Sequence, residues 1–118
     1  MDERIFLDEL RKTIPFLMEI PDSIYYDLDC SEFVLPNNAV NNERIMLEKK
    51  LGHYVMTYKL QGSNNKIRSK ELCGIIKPAV LDQEQLRELV VSEKRLSRHG
   101  VSLCVYQKPL VMIDKYDD

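Results

Sequence analysis

The stretch from Asp82 to Gly100, DQEQLRELVVSEKRLSRHG, constrains the fold more than any other part of the sequence. Asp82 followed three residues later by Gln85 is the capping-box pattern that starts helices. Gly100 supplies a residue that tolerates the left-handed conformation at a helix end. Apolar residues recur at helical spacing and predict a buried face, which Glu93 interrupts. The members of this predicted face are Leu86, Leu89, Val90 and Leu96.

Three segments carry the alternating or apolar patterns of strands. HYVMTYKL (53–60) alternates, VSLCVY follows the long helix, and LVMI forms a last short strand near the C-terminus. We expect KIRSKELCGII (66–76) to return as the partner of 53–60 in a hairpin. An alternative for this segment is a helical turn that starts at Ser69.

The N-terminal half predicts two helices and one strand. DERIFLDELRKTI (2–14) has one apolar face and ends at Pro15. Alternation from Ile24 to Ser31 predicts a half-buried strand. The asparagine-rich NNAVNN predicts a turn or linker, and a short helix is expected from Glu43 to Leu51, closed by Gly52.

This order of elements predicts an α+β fold. We expect a single two-layer domain over residues 1–113, in which helices pack on one face of a small, mostly antiparallel sheet. Residues 114–118, DKYDD, are expected to form a charged C-terminal tail. The alternative is a winged-helix arrangement with the 53–76 hairpin as the wing.

Composition narrows the function classes. The chain has 118 residues, a formal charge of −2 and a pI near 5.7, which argues against binding of nucleic acid or anionic membrane by the whole molecule. The three cysteines form no CxxC pair, as expected for reduced thiols. No secretory leader pattern or membrane-spanning run is found, so we expect a cytoplasmic protein with no membrane partner.

The acidic stretch DLDCSE (27–32) raises the question of a metal site. On a strand, Asp27 and Asp29 would point the same way, about 7 Å apart, close enough to share a divalent cation. Read as a calcium loop, the stretch has Glu32 where glycine is needed and Asn38 where a bidentate glutamate is needed. We therefore predict no metal ligands here, and a divalent-metal-dependent enzyme is the least favoured function.

The same acidic stretch contributes to a predicted protein-binding surface. The alternation places Tyr25 on the outward face together with Asp27 and Asp29. Tyr106 lies in a predicted C-terminal strand that, at a sheet edge, could accept a partner strand or a second copy. Six tyrosines suit an adaptable interface.

Alternating basic residues define a second candidate site. Lys66, Arg68 and Lys70 would share one face of a strand, and Lys59 on the partner strand could join them. A basic β-hairpin of this kind can bind a phosphate backbone or enter a major groove. This pattern predicts nucleic-acid binding whose affinity falls with salt.

The sequence contains none of the catalytic motifs that we considered. The sequence has no phosphate loop, no zinc-ligand spacing and no paired nucleophile and base. We therefore predict a non-catalytic intracellular binding protein, without a cofactor, that regulates, adapts or inhibits through contact with another protein. A nucleic-acid-binding regulator is the alternative, and a homo-oligomer is compatible with either.

Overall fold

A computed structural model describes residues 2–60 and 72–113, without the side chain of Cys73. The predicted tail, residues 114–118, therefore lies outside the described residues. The helices are α1 (Glu3–Thr13), α2 (Asp22–Tyr25), α3 (Asn38–Leu51) and α4 (Gln83–Leu96), and the strands are β1 (Tyr54–Lys59) and β2 (Val101–Tyr106). None of the described helices is long and apolar enough to cross a lipid bilayer. The predicted α+β class is confirmed.

The sheet is antiparallel, with β1 and β2 paired in a register that runs from Tyr54 opposite Tyr106 to Lys59 opposite Val101. Single bridges extend it on both sides, from Phe33 to Tyr58 and from Pro78 to Tyr106. The predicted hairpin is wrong in its described part, because β1 pairs with β2 and residues 72–74 form a 3₁₀ turn. Residues 61–71 lie outside the described part of the chain.

Two apolar clusters lie on opposite faces of this sheet. Alternate residues Met56 and Tyr58 of β1 face a cluster built largely from the N-terminal segment, whereas Val55 faces a cluster built with α3 and α4. The buried members of the helical cluster are Val40, Leu47, Leu51, Val55, Leu96, Val101, Leu103 and Val105. The period of two along each strand therefore divides its side chains between two cores.

The ends of the first and third helices are explained by capping residues nearby in the sequence. The α1 prediction is confirmed: Asp2 caps the helix, with the N–H of Arg4 donating to its carboxylate over 3.2 Å. α3 begins earlier than predicted, because the Asn37 side chain accepts from the N–H of Val40 over 2.9 Å and caps the helix there. The asparagine-rich stretch is thus the first turn of a helix. Gly52 ends α3 with φ of 71°, as predicted.

The strand predicted from Ile24 to Ser31 is wrong. Residues Asp22–Tyr25 form the short helix α2, and Cys30–Glu32 form a 3₁₀ turn. Pro21 sits at the N-cap of α2, where its fixed φ and missing N–H cost a helix nothing. Alternation over so few residues also fits a chain of tight turns, and packing against α1 selects the turns.

The long helix α4 has the predicted start. The N–H of Asp82 donates to Oε1 of Gln85 over 3.0 Å, and the N–H of Gln85 donates to Oδ1 of Asp82 over 2.8 Å. Gly100 lies after the 3₁₀ turn Ser97–His99 with φ of 72° and leads directly into β2. The capping box and the glycine therefore fix where α4 begins and how the chain enters the sheet.

Candidate functional site

Tyr25 does not lie on the predicted outward face. It is fully buried, and its hydroxyl donates to the carbonyl of Leu7 over 2.6 Å. The guanidinium of Arg11 lies 4.1 Å from the centre of its ring. Burial raises the pKa of the Tyr25 phenol, with the charge of Arg11 opposing that rise. The reason for this correction is the helical geometry of α2, which turns Tyr25 toward α1.

The two aspartates lie in turns rather than side by side on a strand. The Asp29 carboxylate accepts from the N–H of Ser31 over 3.0 Å and caps the 3₁₀ turn that follows. That hydrogen bond lowers the pKa of Asp29. Within residues 2–60 and 72–113, no three histidine, cysteine or acidic side chains are grouped as metal ligands. Asp29 therefore has a structural part in this turn.

Tyr106, the fourth residue of the predicted protein-binding surface, is also fully buried. It lies at the end of β2, where its hydroxyl contacts the hydroxyl of Tyr58. Its ring is 6.4 Å from that of Phe16, centroid to centroid. The predicted surface of Tyr25, Asp27, Asp29 and Tyr106 is therefore not assembled, because both tyrosines are core residues.

The predicted basic site is only partly covered by the described residues. Lys59 is exposed at the end of β1. Lys66, Arg68 and Lys70 lie outside the described residues. Their juxtaposition with Lys59 stays a prediction.

One side of α4 exposes apolar side chains. Leu86 and Val90, predicted to be buried, are each 48% exposed. They lie one turn apart on the flank of α4 that faces the outer edge of β2, away from α3. This part of the sequence prediction is wrong, although the buried Leu96 is confirmed and Leu89 is half-buried.

An open groove runs along this flank, and we call it the α4 groove. One compartment, of about 350 Å³, lies along the C-terminal half of α4, and the other, of about 290 Å³, lies along its N-terminal half. Val90 lines the first and Leu86 the second. Both compartments open beside β2. Other apolar residues that line them include Leu60, Ala79, Leu81, Leu89, Leu103 and Val105.

Glu93 lines the larger compartment and reaches Leu103, which lines the smaller one. Its Oε2 accepts from the backbone N–H of Leu103 over 2.8 Å, so the side chain of α4 reaches across to the outer edge of β2. Neighbouring strands normally satisfy such groups, and an unpaired buried N–H would be costly. The interruption that Glu93 makes in the apolar pattern of α4 therefore reflects a specific contact with the sheet.

The rim of the groove carries basic residues. Lys94 lines the larger compartment and is exposed. Arg87 lies beside Leu86 and Val90 on the outer surface of the helix, with its guanidinium 3.7 Å from the carboxylate of Glu84. Because Arg87 is paired with Glu84, Lys94 is the rim cation that favours an apolar ligand with an acidic residue at its margin.

Comparisons with family models, with curated proteins and with solved structures find no match. The site therefore rests on the geometry of this chain. Sequence reasoning missed it because Leu86 and Val90 fit the periodicity of a buried face. The usable signal was Glu93, a charge within that stripe.

Proposed function

We propose that this protein is a non-catalytic binding protein that acts through contact between the α4 groove and a partner protein. The observation that carries the proposal is the half-exposure of Leu86 and Val90 along a two-compartment groove. Exposed apolar side chains that line a concavity, with polar residues around them, are typical of interaction surfaces.

The surroundings of α4 support the same assignment. The opposite flank of the helix is engaged by α3, through Ser92 to Glu43 at 2.8 Å and Gln85 to the carbonyl of Leu51 at 3.1 Å. α4 is therefore held on one side and available on the other. A helix that is already held in place and presents apolar residues beside a sheet suits recognition, because little conformational freedom is lost when a partner binds.

Site-specific photocrosslinking tests this function. A benzophenone amino acid replaces Leu86 or Val90 in the full chain, and cells that express the chain are irradiated. Met18 is the matched control position, since it is apolar, 64% exposed and in the N-terminal segment rather than on α4. We expect a discrete crosslinked protein from the two groove positions and not from Met18.

A second variant decides whether the groove itself is required. Val90→Glu should abolish the crosslink from position 86, whereas Met18→Glu should leave it unchanged, because only the first places a charge in the apolar groove. Equal crosslinking from all three positions, or a crosslink that survives Val90→Glu, would contradict the proposal.

A further inference from the structure

We infer that the α4 groove takes up an extended segment of a partner protein, which pairs as a strand with the outer edge of β2. This inference rests on the proposed function, because it names the form in which the partner binds. Strand addition at a sheet edge provides affinity through backbone hydrogen bonds and specificity through pockets for alternate side chains.

The chain itself already uses part of this edge in the same way. The N–H of Ala79 donates to the carbonyl of Val105 over 3.0 Å, and the N–H of Gln107 donates to the carbonyl of Lys77 over 3.0 Å. Beyond Ala79 the chain turns away toward α4, with Val80 93% exposed. Along β2 from Val105 toward Val101, the next residue whose N–H points outward is Leu103. An added strand would therefore continue an edge that is already paired.

Glu93 occupies the position that a strand carbonyl would take. Its carboxylate lies 2.8 Å from the N–H of Leu103, a distance within the range of a normal ladder hydrogen bond. Glu93 is half-buried and lines the groove. A partner's carbonyl can replace it bond for bond, and the released carboxylate can turn toward solvent.

The two compartments of the α4 groove suit an extended segment. Successive side chains on one face of a strand are about 7 Å apart, so two apolar side chains of the same face can flank the Glu93 position. One would contact Leu86 and the other Val90. An acidic residue of the partner would then face Lys94 at the rim.

Selection from a phage-displayed library of random twelve-residue peptides tests the inference on the full chain. We expect enrichment of peptides with apolar residues at alternate positions and an acidic residue. For a synthetic selected peptide, Glu93→Ala should tighten binding about tenfold, because no hydrogen bond to Leu103 then has to be broken. Glu93→Gln keeps an acceptor and should bind within about twofold of the parent chain.

Backbone chemistry separates strand pairing from other modes. N-methylation at alternate peptide residues should weaken binding, whereas N-methylation of the intervening residues should not, because only one edge of an added strand is paired. The amide resonance of Leu103 should shift on binding. If neither Glu93→Ala nor N-methylation of the peptide changes the affinity, the inference is overturned.

Other outcomes overturn the inference and separate it from the proposed function. Peptides with apolar residues at helical spacing, lost on Val90→Glu, would leave the proposed function intact but replace the strand with a helix. A dimer of the chain alone, seen by sedimentation and lost on Val90→Glu, would assign the groove to a second copy. Peptides that bind equally to Val90→Glu would overturn both proposals.

Discussion

The outer edges of β1 and β2 are closed in two different ways. Each receives a glutamate from the helix that packs beside it: Glu48 of α3 accepts from the N–H of Val55 over 2.8 Å, and Glu93 of α4 accepts from the N–H of Leu103 over 2.8 Å. On the β1 side the carboxylate is accompanied by Arg44. Its guanidinium donates to Glu48 over 2.8 Å and to the carbonyl of Val55 over 3.2 Å.

This difference shows that Val55 on the β1 edge is covered by two side chains of α3, whereas on the β2 edge one side chain of α4, Glu93, reaches Leu103. Arg44 is 1% exposed and, with Glu48, satisfies both the donor and the acceptor of Val55, as a neighbouring strand would. Burial lowers the pKa of Arg44, and the charge of Glu48 opposes that shift. Among the ion pairs of the described residues, none includes Glu93. We therefore call the outer edge of β1, beside α3, the structural edge, and the outer edge of β2, beside α4, the exchangeable edge.

The largest effect is expected at the structural edge. Arg44→Met should lower the free energy of unfolding by about 4 kcal/mol, because it leaves Glu48 and the carbonyl of Val55 without their partner. Urea unfolding measures the change. Arg95→Met is the matched control, since Arg95 is an exposed cation that also pairs with an α3 carboxylate, Glu43, at 2.8 Å. A loss no larger than that of the control would show that the β1 edge does not depend on Arg44.

A pair of leucine truncations compares the two helices directly. Leu47→Ala on α3 should cost about 3 kcal/mol, because Leu47 is 1% exposed in the helical cluster and its truncation leaves a cavity. Leu86→Ala on α4 should cost less than about 1 kcal/mol, because half of that side chain already contacts water. Thermal and urea unfolding of both variants provide the test, and equal losses would remove the distinction between the two sides.

The exchangeable edge should respond to loss of its carboxylate by a smaller amount. Glu93→Ala should lower stability by about 1.5 kcal/mol, because the N–H of Leu103 loses its acceptor. Hydrogen exchange at Leu103 should accelerate, while exchange at Val55 changes only by the global loss of stability. Glu93→Gln, which retains an acceptor, is the control. Unaltered exchange at Leu103 in the alanine variant would argue against the contact.

The smallest effect is expected where the two helices meet at the surface. Lys50 of α3 and Glu88 of α4 lie 3.3 Å apart, with both side chains substantially exposed. Lys50→Ala should change stability by about 0.3 kcal/mol, since water and salt screen such pairs. A loss above about 1 kcal/mol would mean that the docking of α4 on α3 depends on this pair, and α4 would then be less independent than the comparison implies.

The sequence predicted the elements whose signals are local. The capping box of Asp82 and Gln85, the glycines after α3 and in front of β2, and the alternation of β1 all act within a few residues. The prediction from sequence is wrong where contacts between distant parts of the chain decide the local structure. The alternation around Tyr25 fits a strand and a turn equally, and only burial against α1 separates them.

The candidate site shows the same limit. Periodicity predicts that Leu86 and Val90 belong to the apolar face of a helix, but it does not predict whether the sheet is wide enough to cover that face. The sheet has two full strands among the described residues, and α4 overhangs its edge. Arg44 is the converse case: although its side chain is charged, it is buried, because two acceptors of its own helix, Asn41 and Glu48, and two backbone carbonyls from elsewhere in the chain, those of Thr13 and Val55, converge on it.

The division of each strand between two cores also governs which changes of length the chain can tolerate. Removal of one residue at the end of β1 that shifts its register would turn Met56 toward α3 and Val55 toward the N-terminal segment, so that one core would be overfilled and the other underfilled. No single compensating substitution could repair two cores at once. Insertions and deletions that arise in the gene should therefore be retained between the elements and purged from β1 and β2.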